Sequence, residues 1–418
     1  MPRWLYFLLI FAILAPILEL LHALPLLIFI VAALGIVPLA ALIGSSVEGV
    51  AEHTGERIGG LLFATFGNAT ELIIGILALS QGLVDVVRAS IIGTILGNTL
   101  LVLGVSVCIG GFKHGRLKFE ARPASQYASL FALCVASLAL PTVAELLATR
   151  AHQAQIFERG VLLSDFVAIL LLLGYISSIL FSVFHVGDKG GGEEEGEFEP
   201  VLGARSIAAI ARLAAYRHEL AKSSVANKSG VLRQIDGTLG AIVAHEVAQQ
   251  PASTTVSTAQ EQAHSKPSLW RSLLFLSLAT IGVAILSEIL VGAIEPVTKA
   301  LGWNPAFVGL VFLPLIGGLP EYFNTISMAL DKRMGMVLAA SAGSSIQIAL
   351  LVAPILVLIS LFMQQRLDLV FNIVELAVLG LATFLFSEIT KDGELVWLEG
   401  LLLILLYAMM AGTVFLFG

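Results

Sequence analysis

Long apolar runs broken by short polar loops dominate the chain. Runs of about 20 residues recur in both halves, the length a helix needs to cross roughly 30 Å of hydrocarbon. The short alternating segments of a membrane β-barrel are absent. The pattern predicts eleven helices, at about 4–20, 24–46, 58–80, 84–111, 123–142, 159–186, 269–292, 304–330, 334–363, 371–388 and 395–417. Composition agrees: 57% of the 418 residues are hydrophobic and 13% charged, with mean hydropathy +0.94, against roughly 25% charged in soluble domains. The expected class is an all-α, multi-pass membrane protein, since helices satisfy their backbone polar groups internally in lipid.

The same pattern divides the chain into a peripheral first helix (1–22), a five-helix repeat (23–186), a polar linker (187–268) and a second five-helix repeat (269–418). The linker opens with "GDKGGGEEEGEFEP", a glycine run followed by acidic residues. It continues with "LGARSIAAIARLAAYRHELAK", where apolar positions recur at helical spacing beside Arg205, Arg212 and Arg217. That predicts a basic amphipathic helix suited to an anionic leaflet. Lys113, Arg116, Lys118, Arg122, Lys332, Arg333 and Lys391 fall on the linker's side of the membrane, with Arg3. Basic residues accumulate in cytoplasmic loops, so a cytoplasmic amino terminus, an extracytoplasmic carboxyl terminus and residence in a cell's inner (plasma) membrane are expected. The first apolar run lacks a small-residue cleavage site and leads directly into another, so a cleaved signal peptide is not expected.

One carboxylate breaks the apolar pattern. Glu71 lies inside "TFGNATELIIGILALS", with no lysine or arginine between Arg57 and Arg88. A charge there costs at least about 3 kcal/mol, so it needs a partner or a purpose. The second half supplies a counterpart. "GNATEL" (67–72) precedes "GNTLLVLG" (97–104), and "GGLPEY" (317–322) precedes "QIALLVAP" (347–354). Glu71 and Glu321 differ by 321 − 71 = 250, and the two Leu-Leu-Val tripeptides at 100 and 350 differ by the same 250. Repeats of five helices joined on one side enter the membrane in opposite senses, which predicts an inverted repeat with the two glutamates converging at the midplane. Gly67, Glu71 and Gly75 share a helix face and should admit a neighbouring backbone. Gly317, Gly318 and Pro320 are expected to break the second helix just before Glu321.

Around these carboxylates the sequence offers oxygen donors: the amide of Asn68, those of Asn98 and Gln347, and the hydroxyls of Thr70, Ser344 and Ser345. Asn98 and Gln347 are read equally well as interhelical hydrogen bonders. Hard cations such as calcium prefer such a set, whereas zinc and copper favour nitrogen or sulfur. Cys108 and Cys134 read as buried thiols, and none of the eight histidines falls in mid-span. Without a cation, two anions held close in low dielectric take up protons. Competition between one divalent cation and protons for one site is the chemical basis of an antiporter. A channel would instead present a ring of like residues along an open path. An enzyme would need a nucleophile or metal beside its acid, and no His-Glu-x-x-His motif or phosphate loop is present.

"GNATELI", "GTILGNTLLVLG" and "GSSIQIALLVAP" resemble the repeat signatures of the cation/proton exchanger family of the calcium/cation antiporter superfamily. The resemblance implies eleven helices and exchange of cytoplasmic calcium for protons. It implies cation and proton binding at Glu71 and Glu321, with Asn68, Asn98, Ser344, Ser345 and Gln347 at neighbouring motif positions. Glu48 and Glu52 in "GSSVEGVAEHTG" and Glu288 and Glu295 in "LSEILVGAIEP" resemble the acidic positions lining its access pathways, though they also read simply as marking the water boundary. The expected partners are calcium or a similar cation, protons and the lipid bilayer. No nucleic acid and no cofactor are implied, and an oligomer is compatible. In the second repeat the family has Gly-Asn-Ala-Ala-Glu-His; here Gly318 and Tyr322 replace the asparagine and histidine. Pro320 before Glu321 is closer to the sodium/calcium exchangers, so a sodium/calcium-type or other cation exchanger is the alternative.

Overall fold

A computed structural model describes residues 5–54, 56–150, 156–182 and 268–417. The linker, with its acidic run and expected amphipathic helix, lies outside the described residues, as do Arg3, His152 and His185. The helices are α1 (Leu5–Leu20), α2 (Pro25–Thr54), α3 (Glu56–Phe66), α4 (Ala69–Ser80), α5 (Val84–Leu96), α6 (Leu103–His114), α7 (Ala121–Arg150) and α8 (Ile156–Ser182). After the linker come α9 (Leu269–Leu301), α10 (Pro305–Phe307), α11 (Leu313–Leu330), α12 (Met334–Gln347), α13 (Ala353–Ser360), α14 (Ile373–Ile389) and α15 (Trp397–Phe417). Two-residue strands β1 (Leu117–Lys118) and β2 (Glu394–Leu395) pair antiparallel. Three stretches wind as π-helix, Gly97–Val102, Val308–Phe312 and Ile348–Val352, each continuing its flanking helices.

The protein is thus a multi-pass helical membrane protein. Eight of its described helical segments are long and apolar enough to span a bilayer. Several outrun the apolar pattern: α2 extends to Thr54 and α7 to Arg150, because polar residues continue a helix readily once it leaves the hydrocarbon. Exposed leucines and isoleucines, such as Leu133 at 66% and Ile285 at 50%, face outward where a soluble protein would be polar; lipid is the solvent that stabilises them.

The repeats run in opposite senses. In α2 and α9, Gly35 faces Leu286 while Gly282 faces Leu39, an antiparallel crossing. α5 and α12 also run antiparallel: the Ser345 hydroxyl donates to the Ile95 carbonyl at 3.4 Å, and the Ser341 hydroxyl donates to that of Asn98. Ile95 and Ser345 differ by 345 − 95 = 250. A contact between equivalent residues lies on the axis relating the repeats.

Glycine sets the closest helix approaches, as membrane packing favours. A Cβ on Gly93 would lie 2.2 Å from the Leu310 carbonyl oxygen, and one on Gly309 2.2 Å from that of Val86. The sequence had pointed instead to Gly67 and Gly75. Gly75 meets only the Leu356 side chain, and Gly67 meets the Phe63 carbonyl of its own preceding turn.

Each membrane face has its own ties. On the face where α8 ends and α9 begins, β1 meets β2, Arg116 pairs with Glu394 at 2.7 Å, and His114 Nε2 lies 2.8 Å from the Leu330 carbonyl. On the opposite face Arg88 pairs with Asp368 at 2.7 Å and with Asp85 at 3.0 Å, and Arg366 with Asp165 at 2.7 Å.

Candidate functional site

The break between α3 and α4 positions the first glutamate. The chain leaves helical geometry at Gly67 and Asn68 and resumes at Ala69, putting Glu71 in the first turn of α4. Asn68 precedes that helix without capping it. Its side chain instead crosses to the other repeat, donating from Nδ2 to Gln347 Oε1 at 2.6 Å and accepting from Ser344 Oγ at 3.2 Å. Asn98 Nδ2 donates in turn to Ser344 Oγ at 3.0 Å. Gln347, Asn68, Ser344 and Asn98 therefore form one polar chain from both repeats, with Asn68 and Asn98 only 2% and 4% exposed.

The second glutamate sits on an unbroken helix. The break expected at Gly317–Pro320 is absent: α11 runs continuously through these residues. A proline ring removes a single helical hydrogen bond and commonly kinks rather than ends a membrane helix. The two glycines serve another purpose. A Cβ on Gly317 would stand 2.8 Å from Glu71 Oε1, so that carboxylate lies against the bare backbone of α11. Gly317 is one helical turn before Glu321, which brings the two carboxylates onto one face of α11. Gly318 borders both Glu321 Oε2, 3.7 Å from its Cβ position, and Asn98 Oδ1, at 3.9 Å. Glu321 Oε2 is buried, and among the described residues it has no hydrogen-bond partner. An anionic oxygen so placed calls for a proton or a cation.

The site opens to one side. A cavity of about 200 Å³ is lined by Ala40, Ile43, Gly44 and Val47 of α2, by Phe63, Phe66, Gly67 and Thr70 around the break, and by Gly317, Pro320, Glu321 and Asn324. It reaches Glu321 from the face where α8 ends and α9 begins. A larger cavity of about 430 Å³ at the other face, walled by Asp85, Arg88, Asn372 and Glu375 among others, has neither glutamate in its lining.

Most of the sequence-derived donors gather here, with exceptions. Ser345 is fully buried, and its hydroxyl is committed to the Ile95 and Ser341 carbonyls. Glu48 and Glu52 are exposed, one and two turns beyond Gly44 on the α2 face that borders the cavity. Glu295 is exposed and paired with Lys299 at 2.5 Å. Glu288 lies thirteen residues before the end of α9 (301 − 288 = 13), on an exposed stripe with Ile281 and Ile285, away from the cavity wall. Two features had no sequence signal: the π-helical turns, common at functional sites, and the contact of Glu71 with Gly317; Gln347 was legible as an interhelical hydrogen bonder, though its partner Asn68 was not. Among the described residues no group of three or more histidine, cysteine or acidic side chains converges. The centre offers two carboxylates and neutral oxygens, a set that fits a hard cation as cargo.

Known proteins place this architecture. The profile of the family described as "Sodium/calcium exchanger protein" matches residues 24–184 and 271–416. The chain is 34% identical over 384 residues to the Ca(2+)/H(+) antiporter of Synechocystis sp., covering 92% of this chain and 89% of that protein. It is 30% identical over 390 residues to the Ca(2+)/H(+) antiporter ChaA of Bacillus subtilis, covering 93% and 92%. Among solved structures it matches native YfkE with a TM-score of 0.71 at 27% identity over 99% of both chains. An H+/Ca2+ exchanger CAX shares the fold, with a TM-score of 0.58 at 12% identity, over 99% of this chain and 91% of that one. With its inverted repeats and paired carboxylates matched across both halves, the chain belongs to the cation/proton exchanger family of sodium/calcium exchanger-type membrane proteins.

Proposed function

We propose that this protein is a secondary antiporter that moves calcium against protons through the site formed by Glu71 and Glu321, and that it catalyses no chemical reaction. The observation that carries the reading is that two repeat-related carboxylates border the same turn of α11, Glu71 against Gly317 and Glu321 with a buried oxygen that has no hydrogen-bond partner among the described residues. Two carboxylates balance one divalent charge, and once the cation leaves they hold protons instead. The same groups thus carry either cargo, and an empty, doubly anionic centre is too costly to cross the membrane unloaded. Asn98 and Ser344 supply neutral oxygens at the centre, while Asn68 and Gln347 brace the two repeats against each other.

The cavity supports access from the linker-bearing face, which we assign to the cytoplasm because Lys113, Arg116, Lys118, Lys332, Arg333 and Lys391 lie there. Ion pairs Arg88–Asp368 and Arg366–Asp165 tie the opposite face. Calcium then enters from the cytoplasmic cavity, binds between the carboxylates, and leaves on the far side as protons replace it. Pro320–Glu321 favours one second reading, a sodium-coupled exchanger.

Reconstitution into proteoliposomes with an acidic interior separates these readings. Calcium added outside should dissipate the proton gradient and accumulate inside, and Glu71→Gln and Glu321→Gln should abolish both. Calcium movement driven by sodium with no proton flux would establish the second reading. Calcium leakage without counter-movement of any ion would refute the antiporter.

A further inference from the structure

The two repeats match in sequence, but the two ends of their site are built differently. In the first repeat Asn68 faces Gln347, and the amides lock at 2.6 Å. Adding 250 to 68 and subtracting 250 from 347 gives the equivalent positions in the other half, which are Gly318 and Gly97. An amide bridge at one end of the site is therefore replaced by two glycines at the other.

The result is a notch. A Cβ on Gly97 would meet only the Pro314 ring, at 3.7 Å, and one on Gly318 would meet only Glu321 Oε2 and Asn98 Oδ1, at 3.7 and 3.9 Å. Among the described residues both oxygens border this space without a donor: Glu321 Oε2 has no partner there and no hydrogen bond reaches Asn98 Oδ1, although Asn98 is 96% buried and its amide nitrogen is bonded to Ser344. The asparagine that occupies the equivalent position in the first repeat would fill the notch with an amide. With Gly97 offering no side chain to hold it, that amide would turn toward Glu321 Oε2 and Asn98 Oδ1 and take their free lone pairs.

We propose that Gly318 is the position that sets ion selectivity: by leaving a notch lined by Glu321 Oε2 and Asn98 Oδ1, it admits a cation that is large or keeps a water molecule on that side. This rests on the exchanger reading of the same two carboxylates. Calcium and its larger congeners take six to eight oxygens in adaptable geometry, while smaller divalent ions demand a tighter octahedral shell. With each carboxylate binding through one oxygen, two carboxylates and a few neutral oxygens fall short of a calcium shell, and a water seated over Gly318 adds a ligand with two acceptors to hold it. Filling the notch removes that ligand and shrinks the site, a change that penalises the larger ion.

The test is initial rates of proton-driven uptake of calcium, strontium and manganese in proteoliposomes for the wild type, Gly318→Asn and Gly318→Ala. The wild type should accept strontium nearly as well as calcium. In Gly318→Asn the strontium-to-calcium ratio of kcat/KM should fall roughly tenfold and the manganese-to-calcium ratio should rise, the scale set by a side-chain increment in a shaped pocket. Gly318→Ala adds a methyl group at ordinary contact distance, so it guards against a variant that fails to fold; it should shift both ratios in the same sense by about threefold, less than the effect of a full side chain. Unchanged ratios in Gly318→Ala with wild-type calcium exchange would overturn the proposal alone, as would a rise in the strontium ratio. A wild-type protein that exchanges no divalent cation for protons would overturn it together with the proposed function.

Discussion

Gly317 and Gly318 are adjacent in sequence, yet the structure separates their roles sharply enough to test. A methyl group at Gly317 would lie 2.8 Å from Glu71 Oε1, 3.1 Å from its Cδ and 3.3 Å from its Cγ. Ordinary contact begins at 3.4 Å, so the carboxylate must retreat by about 3.4 − 2.8 = 0.6 Å. The neighbour that must yield is the end of a flexible side chain, so Gly317→Ala should cost only about 1 kcal/mol of stability, the low end for overpacking. Function should suffer more. A 1 Å displacement of a reacting or binding group costs up to about a hundredfold, so 0.6 Å predicts a loss of roughly tenfold in calcium kcat/KM.

The assay is initial proton-driven calcium uptake in proteoliposomes, alongside thermal melting in detergent. Gly380→Ala on α14 is the internal control: its methyl group would meet nothing within 4 Å, far from the carboxylates, so calcium exchange should persist. A Gly317→Ala protein with wild-type KM and rate would refute the placement of Glu71 against α11 in the transporting protein. So would equal losses of calcium transport in the two alanine variants.

Three further outcomes follow from the same geometry. Neutralising either glutamate leaves one carboxylate to balance a divalent ion, and the unpaired charge costs about 3–5 kcal/mol, so Glu71→Gln and Glu321→Gln should each weaken calcium binding by more than about a hundredfold, measurable by isothermal titration. Because protons and calcium compete for the same oxygens, apparent calcium affinity should fall on acidification, by up to about a hundredfold per pH unit where both carboxylates protonate and about tenfold where one does; affinity independent of pH would contradict a shared site. Arg88 is 22% exposed and its partner Asp368 14%, whereas Arg116 and Glu394 are 69% and 38% exposed; Arg88→Ala should therefore cost about 1–3 kcal/mol and Arg116→Ala about 0.5 kcal/mol or less, read as a clear and a negligible drop in melting temperature.

The helices, their order and the inversion were legible because each rests on a periodic or counted property of the chain. Apolar run length fixes the segments, and the constant interval of 250 fixes the register, which the structure reproduces at the contact between Ile95 and Ser345. Side-chain partners across the repeats were not legible. Asn68 reads as an oxygen donor near a carboxylate, and Gln347 as either such a donor or an interhelical hydrogen bonder; that one bonds the other, 279 positions away, depends on how α4 and α12 cross. The orientation of Glu288 was equally out of reach. It sits in an acidic motif, yet the rotation of α9 turns it to the stripe of Ile281 and Ile285, and rotation follows from packing with α2 rather than from local sequence.

The misplaced helix break carries the clearest physical lesson. Sequence rules put it at Gly317–Pro320, where two poor helix formers and a proline coincide, and the chain breaks at Gly67–Asn68 instead. Local propensity differs by only a few kcal/mol between these segments, and tertiary bonds outweigh it. At Gly67–Asn68, the Asn68 side chain gains two cross-repeat hydrogen bonds by leaving its helix-capping role, and Gly67 has no Cβ to collide with the Phe63 carbonyl 2.6 Å away. At Gly317–Gly318, no side chain exists to make such bonds, so nothing offsets the cost of unwinding, and the bare backbone serves better as a continuous surface for Glu71. The glycines that looked like a hinge are the floor of the site. The side chain of Asn68 fastens the two repeats together, and the glycine at the equivalent position 318 leaves that bond without a counterpart in the other half.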